Sequence, residues 1–523
     1  MKSPKSNEAL AERKDFIMTK GDNKGNIKCD QHSLAGAVSQ RACVYSGARV
    51  VLNPVKDAYH LVHGPIGCAS YTWDIRGSLT SGADFFRSSF STDLREKDIV
   101  FGGEAKLEIV IEELMEKEQY KPEVIFIYST CVVGVIGDDL KAVARKAEEK
   151  YGVRVIPVES SGFAGTKSKG YKAACEALLN LMSDFKAESN RVDSNKKAAD
   201  RKNKIKEISD RSEDYTGMNT KEKIRVLQKK LRYINSLQTG KAIDDFKNKK
   251  IKEQVEKGKY RKKINLLGDY NLAAEGWIIE NYLNEVGIEL VARFTGDSSI
   301  KDIRRAPTAE LNIVQCAGSM KYLAKRMQQE FGIPFLEISF LGLQDSLDSL
   351  RKIARFLDDQ IIINKVEKLI ARRLPDTEAK LKIYKNYLAG KKAAIYVGGA
   401  FKAISLVKQF NDLGIKTVMV GTQNGKESDY EELKELTDSG TIILDDANPS
   451  ELEVFMREKG ADVLVGGVKD RALAYKMGIA FFDHNHERKH PLVGFEGVVN
   501  LAQELDLTIN SPIWKAIRSG IDE

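Results

Sequence analysis

PEVIFIYSTCVVGVIGDDLKAVARKAEEKYGVRVIPVES, residues 122–160, decides the fold class. Its two ends, 122–130 and 153–160, are continuous apolar, β-branched runs, as strands buried on both faces require. Between them, GDDLKAVARKAEEKYG (137–152) repeats apolar residues at three- and four-residue spacing, the stripe of an amphipathic helix. Strand, helix, strand is the βαβ unit of a parallel sheet. Outward from it, INLLG (264–268), LNIVQC (311–316), KAAIYVGG (392–399), TVMVGT (417–422), TIILDD (441–446) and ADVLVGG (461–467) read as further buried strands. SMKYLAKRMQQEFG (319–332) reads as another crossover helix. The chain is expected to be α/β, with several doubly wound units. Its 523 residues suit about three domains at roughly 100–200 residues each.

The expected organisation is a leader (1–40), an α/β domain (41–185), a Lys-rich insertion (186–263), a second α/β domain (264–385) and a C-terminal α/β domain (386–523). Hydrophobic residues make up 42% and charged residues 30%, so a core can be buried beneath a solvated surface. No apolar run approaches the ~18 residues of a membrane helix, and the first residues carry no secretory signal pattern. A cytoplasmic protein is expected. The formal charge of +8 has a local source. Residues 186–263 hold 25 Lys/Arg against 12 Asp/Glu, so the rest of the chain is net negative. A general nucleic-acid surface is therefore not supported. The insertion lacks large apolar residues over most of its length and is expected to be partly disordered, with a surface helix at 221–237. It reads as a solvated arm, or as a docking arm for an acidic partner. With no GxxxxGK[ST] sequence, ATP is not expected to bind this chain.

Six cysteines, Cys29, Cys43, Cys68, Cys131, Cys175 and Cys316, form no CxxC pair, which argues against zinc fingers and thioredoxin-type sites. Cys131 and Cys316 close strand runs, where an open α/β sheet places its ligands. Cys43, Cys68 and Cys131 each have glycine nearby (Gly47; Gly64 and Gly67; Gly134 and Gly137), which lets backbone approach a bulky ligand. Three separated thiols in tight turns suit an iron–sulfur cluster better than zinc. They are one short of the usual four. Cys29, Cys175, Cys316 or a partner subunit could supply the fourth, although Cys175 reads as a small core residue on a helix.

CVYSGARVVLNPVKDAYHLVHGPIGCASYTWDIRGS (43–78), FSTDLREKDIVFGGEAKL (90–107), STCVVGVIGDDL (129–140), LLGDYNLAAEGW (266–277), residues 311–354, YVGGAFKAISLVKQFNDLGI (396–415) and FFDHNHERKHPLVGFEG (481–497) together resemble the nitrogenase component 1 superfamily. Within it they are most similar to the α-like subunit of the iron–molybdenum cofactor assembly scaffold. The resemblance covers nearly the whole chain outside the leader and the insertion. It implies three Rossmann-like domains of the nitrogenase component 1 type. It also implies that Cys43, Cys68 and Cys131 are metal ligands to an Fe4S4 cluster bridging to a NifN-like β subunit, in an α2β2 heterotetramer. Cys316 would be the metal ligand anchoring the iron–molybdenum cofactor or its eight-iron precursor.

Departures from the catalytic subunit separate scaffold from enzyme. Catalytic α subunits hold the molybdenum end through a histidine. Aligned forward from Lys476, that position is Asn485; counted back from Gly494, it is His484. The Asp483, Asn485, Glu487, Arg488, His490 pattern resembles the scaffold, and a neutral amide is a poorer metal ligand than imidazole. GFAGTKSKGY (162–171) offers Lys167 and Lys169 where the enzyme carries a glutamine and a histidine, which suits an anionic cluster or homocitrate or, more blandly, a solvated loop. Lys469 resembles a homocitrate contact. After Gly398 and Gly399 the family has a cation, where this chain has Phe401 and then Lys402. His484, His486 and His490 could load metal or simply bond within a loop, and His63 could bond near the bridging cluster or be structural.

The reading is a cofactor-maturation scaffold with no catalytic residue of its own. It would receive the precursor from a NifB-like donor, and the nitrogenase Fe protein would deliver molybdenum and homocitrate to it. The finished cofactor would pass to apo-nitrogenase. The alternative is the catalytic α subunit of a nitrogenase or nitrogenase-like reductase; a cluster-free homologue is disfavoured by the full cysteine set.

Overall fold

The computed structural model describes residues 15–21, 27–29, 42–73, 79, 88–118, 121–183, 262–484, 488, 490–514 and 516–517. Expectations for the insertion, for residues 74–78, and for Asn485, His486 and Glu487 fall outside them. The chain divides into two compact units, Met1–Asn180 with Lys263–Glu523, and Leu181–Lys262. The larger unit carries every element discussed below.

Its described strands are β1 (Ile17–Thr19), β2 (Ala58–His63), β3 (Ser89–Ser91), β4 (Val124–Ser129), β5 (Arg154–Val158), β6 (Lys262–Asp269), β7 (Ile288–Thr295), β8 (Leu311–Val314), β9 (Phe335–Glu337), β10 (Lys392–Gly399), β11 (Lys416–Asn424), β12 (Ile442–Asp445), β13 (Val463–Gly466) and β14 (Ala480–Asp483). They form three sheets, ordered β3-β2-β4-β5, β7-β6-β8-β9 and β1-β12-β11-β10-β13-β14. The first sheet is parallel, with β2 flanked by β3 and β4. In the third, five parallel strands follow the doubly wound order, and β1 adds antiparallel to β12. Part of the leader is thus an edge strand of the C-terminal sheet.

Each apolar run named from sequence contains a strand, and the crossover helices Leu140–Tyr151 and Ala317–Phe331 lie within the helical patterns. One boundary moves. LNIVQC yields a strand only to Val314, and Cys316 instead precedes the Ala317–Phe331 helix. β2 (AYHLVH) is invisible to hydropathy because two of its six residues are histidine. Its burial is possible because His60 Nδ1 meets the Tyr128 hydroxyl of β4 at 2.8 Å.

Ligands of doubly wound sheets sit beyond the carboxyl ends of strands, where chain order reverses. The reversals fall between β2 and β4, β6 and β8, and β10 and β13. Cys68 follows β2 and Cys131 follows β4. Gly268 and Asp269 end β6, and Cys316 follows β8. Gly399 ends β10 and Gly466 ends β13. The three switch points thus carry most of the candidate residues. Among the described residues no helix is long and apolar enough to cross a membrane.

Candidate cluster and cofactor sites

The first site is built at the β2/β4 switch point. Cys43 stands before the Val44–Leu52 helix, Cys68 lies in the Ile66–Trp73 helix and Cys131 opens the Cys131–Ile136 helix. Cys43 also forms an isolated antiparallel bridge with Thr166, which ties its loop to the segment after β5. In that segment the Gly162 amide donates to Cys131 Sγ at 3.2 Å. A Cβ on Gly162 would lie 2.9 Å from Cys131 Sγ and 3.6 Å from Cys43 Sγ. Two sulfurs therefore flank one glycine. Burial pushes the Cys68 thiol up, and charge on Cys131 and Cys43 pushes it further, which puts the third thiol within electrostatic reach of the other two. All three are free of disulfides.

Among the described residues no group of three or more His, Cys, Asp or Glu side chains is set to hold a single metal ion. The arrangement is a pair of sulfurs flanking Gly162 with Cys68 within electrostatic reach. Its sulfur-only donor set and the cradle at Gly162 fit a multi-iron cluster. The surroundings are apolar and open. Ile66, Val135 and Phe163 are exposed, as are Val100 and Phe101 on the Glu96–Phe101 helix. His63 braces this wall rather than facing the thiols. Its Nε2 meets Asp138 Oδ2 at 3.0 Å and its Nδ1 meets Thr92 Oγ1 at 3.0 Å, while burial holds its pKa low.

The second site lies at the β6/β8 switch point. Gly268 has φ +80°, and a Cβ there would lie 2.7 Å from the Cys316 amide nitrogen. The β6 backbone thus packs directly on Cys316. The phenols of Tyr171 and Tyr270 are both raised by burial and interact with charge at Cys316. Lys402 is pushed down to about 8, first by burial and then by Arg488; Cys316 and Glu275 oppose that fall, and Lys167 adds to it. Arg488 Nη2 lies 2.5 Å from Glu275 Oε1, each side chain 5% exposed. His484 is buried, and its imidazole is held well below the ordinary histidine range by burial, Lys402 and Arg488, so it is neutral near pH 7. Cys316, Lys167, Lys402, Arg488, Glu275, His484, Tyr171 and Tyr270 thus form one electrostatically linked group.

Of the remaining cysteines, Cys175 borders the second site, where it interacts with Tyr270. Cys175 is buried, its thiol raised to about 12, with Sγ 3.8 Å from the Ser319 carbonyl. Cys29 packs against the large hydrophobic core.

The family description "Nitrogenase component 1 type Oxidoreductase" matches residues 43–510. A nitrogenase iron-molybdenum cofactor biosynthesis protein NifE of Clostridium pasteurianum is 54% identical over 94% of this chain and 92% of its own. That of Methanosarcina barkeri is 45% identical over 98% of each chain. The solved structure "Nitrogenase Cp1 at pH 5" superposes with a TM-score of 0.75 at 26% identity, covering 97% of this chain and 96% of that one. The chain belongs to the nitrogenase component 1 family, among its NifE members.

In this family member the two lysines of the 162–171 segment part company. Lys167 interacts with Lys402, and its Nζ lies 5.7 Å from the Tyr171 ring centroid. Lys169, two residues on and so about 200° around the helix, is exposed and donates to the Ala164 carbonyl at 3.1 Å. Lys469 is exposed on the turn Val468–Asp470, beyond β13. Sequence reasoning missed Glu275, Asp269, Tyr171 and Tyr270. The signal available was LLGDYNLAAEGW, where acids and an aromatic follow directly on a buried strand.

Asp269 makes a prediction. It is buried, and its pKa is raised to about 7, first by burial and then by Glu275, against the Asn271 amide, Arg293 and Arg488. Between pH 4 and 7 the native state keeps a proton that the unfolded chain releases, so stability falls as pH rises and the penalty is constant above 7. Asp269→Asn removes that penalty. The expected gain is near zero at pH 4 and about 4 kcal/mol above pH 7, at about 1.4 kcal/mol per pH unit. Urea titrations at pH 5 and 8 check it; equal gains at both pH values would contradict the assignment.

Proposed function

We propose that this chain is the α-like subunit of a scaffold on which the iron–molybdenum cofactor is assembled and from which it is released. One observation carries the reading. Cys316 is the thiol of the second site, and the groups linked to it are cations, the Arg488-paired carboxylate of Glu275, phenols and a neutral imidazole, with Cys175 reaching only Tyr270. A cargo cluster held by one thiolate and cradled by charge can leave, as a scaffold requires. Relatives at 54% and 45% identity bear the name of cofactor biosynthesis proteins, which supports the same reading.

Cys43, Cys68 and Cys131 would hold an Fe4S4 cluster whose fourth thiolate comes from a NifN-like β subunit. When bound, that cluster supplies one-electron chemistry. The exposed apolar residues near these thiols suit burial by that subunit in an α2β2 complex, and contact with the nitrogenase Fe protein. A NifB-like protein would supply the precursor, and molybdenum and homocitrate would join it at the second site. Lys167, Lys402 and Arg488 attract the anionic cargo. Tyr171 and Tyr270 lie within electrostatic reach of Cys316. Asn485 and Lys469 would complete the candidate cofactor contacts, whereas Lys169, a candidate from sequence, is exposed and bonds to the Ala164 carbonyl instead.

The catalytic-subunit reading has one observation in its favour, the burial of His484 beside Lys402 and Arg488. The two readings separate in a complex purified anaerobically with its β partner from cofactor-competent cells. Cys316→Ala is expected to lose the cargo's iron while the bridging cluster's share remains. His484→Ala is expected to retain most of both. Equal loss of cargo in the two variants would favour the reductase, and an iron-free wild-type complex would end both.

A further inference from the structure

Asn271 ties together two stretches of chain that belong to different sites. It lies two residues past β6 and is fully buried, with φ +49°. Asparagine adopts this left-handed backbone more readily than other side chains. Its amide donates to Asp269 Oδ1 at 3.0 Å. Gly296, just past β7, backs the turn: its amide donates to the Asp269 carbonyl at 2.9 Å, and a Cβ there would lie 2.5 Å from the Asn271 nitrogen. Three residues before Asn271 is Gly268, where a Cβ would lie 2.7 Å from the Cys316 amide nitrogen. Little slack is left between Asn271 and the Cys316 anchor.

On its other side Asn271 holds Leu79, 192 positions away. Its carbonyl accepts from the Leu79 amide at 2.8 Å, and its Nδ2 donates to the Leu79 carbonyl at 2.7 Å. Both backbone groups of Leu79 are thus used by one residue. The Leu79 side chain is 45% exposed, so the paired hydrogen bonds rather than apolar burial hold it. The side-chain amide has one usable orientation, because the flipped form would set oxygen against the Leu79 oxygen. That orientation leaves Asn271 Oδ1 buried without a hydrogen-bond partner, which costs free energy. The fold thus accepts a left-handed side chain and an orphaned acceptor at the position that supplies Leu79 with a donor. Leu79 is six residues beyond Trp73, the end of the helix that carries Cys68. The chain of the first site therefore reaches the second at this clamp.

We propose that Asn271 is a positioning residue for the second site. It fixes the chain returning from the Cys68 helix onto the turn that packs on Cys316, and so sets the spacing between that wall and the anchor. The proposal deepens the scaffold reading and rests on it. A cargo held by one thiolate depends on its walls for retention, so a loosened wall shortens its stay while the anchor remains.

The test uses the complex of the full chain with its β partner. Asn271→Gly keeps the left-handed backbone and the carbonyl that serves the Leu79 amide, and removes only the side-chain donor. Asn271→Asp keeps the size and sets an acceptor against the Leu79 carbonyl. Complex from cells that make no precursor cluster is used for hydrogen exchange of the peptide containing Leu79 and for the rate at which iodoacetamide alkylates Cys316. Complex from cofactor-competent cells is used for release of cargo iron to a chelator. Exchange is expected to quicken several-fold in Asn271→Gly and at least tenfold in Asn271→Asp. Cys316 alkylation is expected to change several-fold, and cargo to leave several-fold faster. The electron paramagnetic resonance signal of the bridging cluster and the urea midpoint should stay near wild type, which a merely structural role would not allow. Wild-type exchange in both variants overturns the proposal. So does faster exchange with Cys316 alkylation and cargo release unchanged, or a loss of midpoint and bridging-cluster signal together. A wild-type complex that never holds cargo iron defeats the scaffold reading alone, because exchange and alkylation still decide the role of Asn271.

Discussion

Gly268→Ala is expected to empty the Cys316 site while every candidate ligand remains in place. Two independent penalties act. The residue has φ +80°, where an L side chain is strained by about 1–3 kcal/mol. Its Cβ would also lie 2.7 Å from the Cys316 amide nitrogen, 2.8 Å from its Cβ and 3.0 Å from its Cα. Those atoms are mostly backbone and cannot rotate aside, so the turn that aims Cys316 must move. A stability loss of about 2–4 kcal/mol is expected from strain and overpacking together. The complex purified with its β partner should keep the bridging cluster's iron and lose the cargo's. Urea denaturation and iron per heterodimer measure the two effects. A variant that carries cargo at the wild-type level would show that Gly268 does not position the anchor.

Gly162→Ala should produce the complementary loss. Here no positive φ is involved, and the residue sits in the short turn Gly162–Ala164. Only space is at issue. The new methyl would lie 2.9 Å from Cys131 Sγ, 3.3 Å from Cys43 Cβ and 3.6 Å from Cys43 Sγ. The sulfurs must swing away, and the amide that donates to Cys131 shifts with them. Stability of the cluster-free chain should change by less than about 1 kcal/mol, as for a surface substitution. The bridging cluster should be lost, and with it the affinity for the β partner. Electron paramagnetic resonance of the reduced complex and its sedimentation report both. An unchanged cluster signal would mean that the thiols do not meet at this glycine.

The contrast between these glycines shows how much a sequence reading can hold. Gly162 stands near cysteines that glycine-rich turns had marked, and Gly268 near one marked by its place after a strand run. Neither could be ranked, because what makes them sensitive is the identity of atoms far along the chain: Cys316 for Gly268, Cys43 and Cys131 for Gly162. The same holds for the histidines. His60 and His63 hide β2 from a hydropathy scan, yet they are buried because Tyr128, Thr92 and Asp138 bond them across the sheet. Lys402 looked displaced by one residue from the family's cation. In the folded chain its ammonium interacts with Cys316, Glu275 and Arg488.

Repeated βαβ patterning determined the parallel, doubly wound architecture without help from any structure. Local physics suffices there, because a continuous apolar run buries on two faces wherever it lies and a three-four stripe buries on one. The same patterning set the thiols at strand ends, since chain order alone fixes which residues follow a strand. Tertiary structure decided which of those ends face one another. It aligned Cys43 with Cys131 across Gly162, turned Lys167 inward and Lys169 outward, and drew Arg488 onto Glu275. These outcomes depend on sheet order and crossover packing, which join residues hundreds of positions apart and leave no periodic trace in the chain.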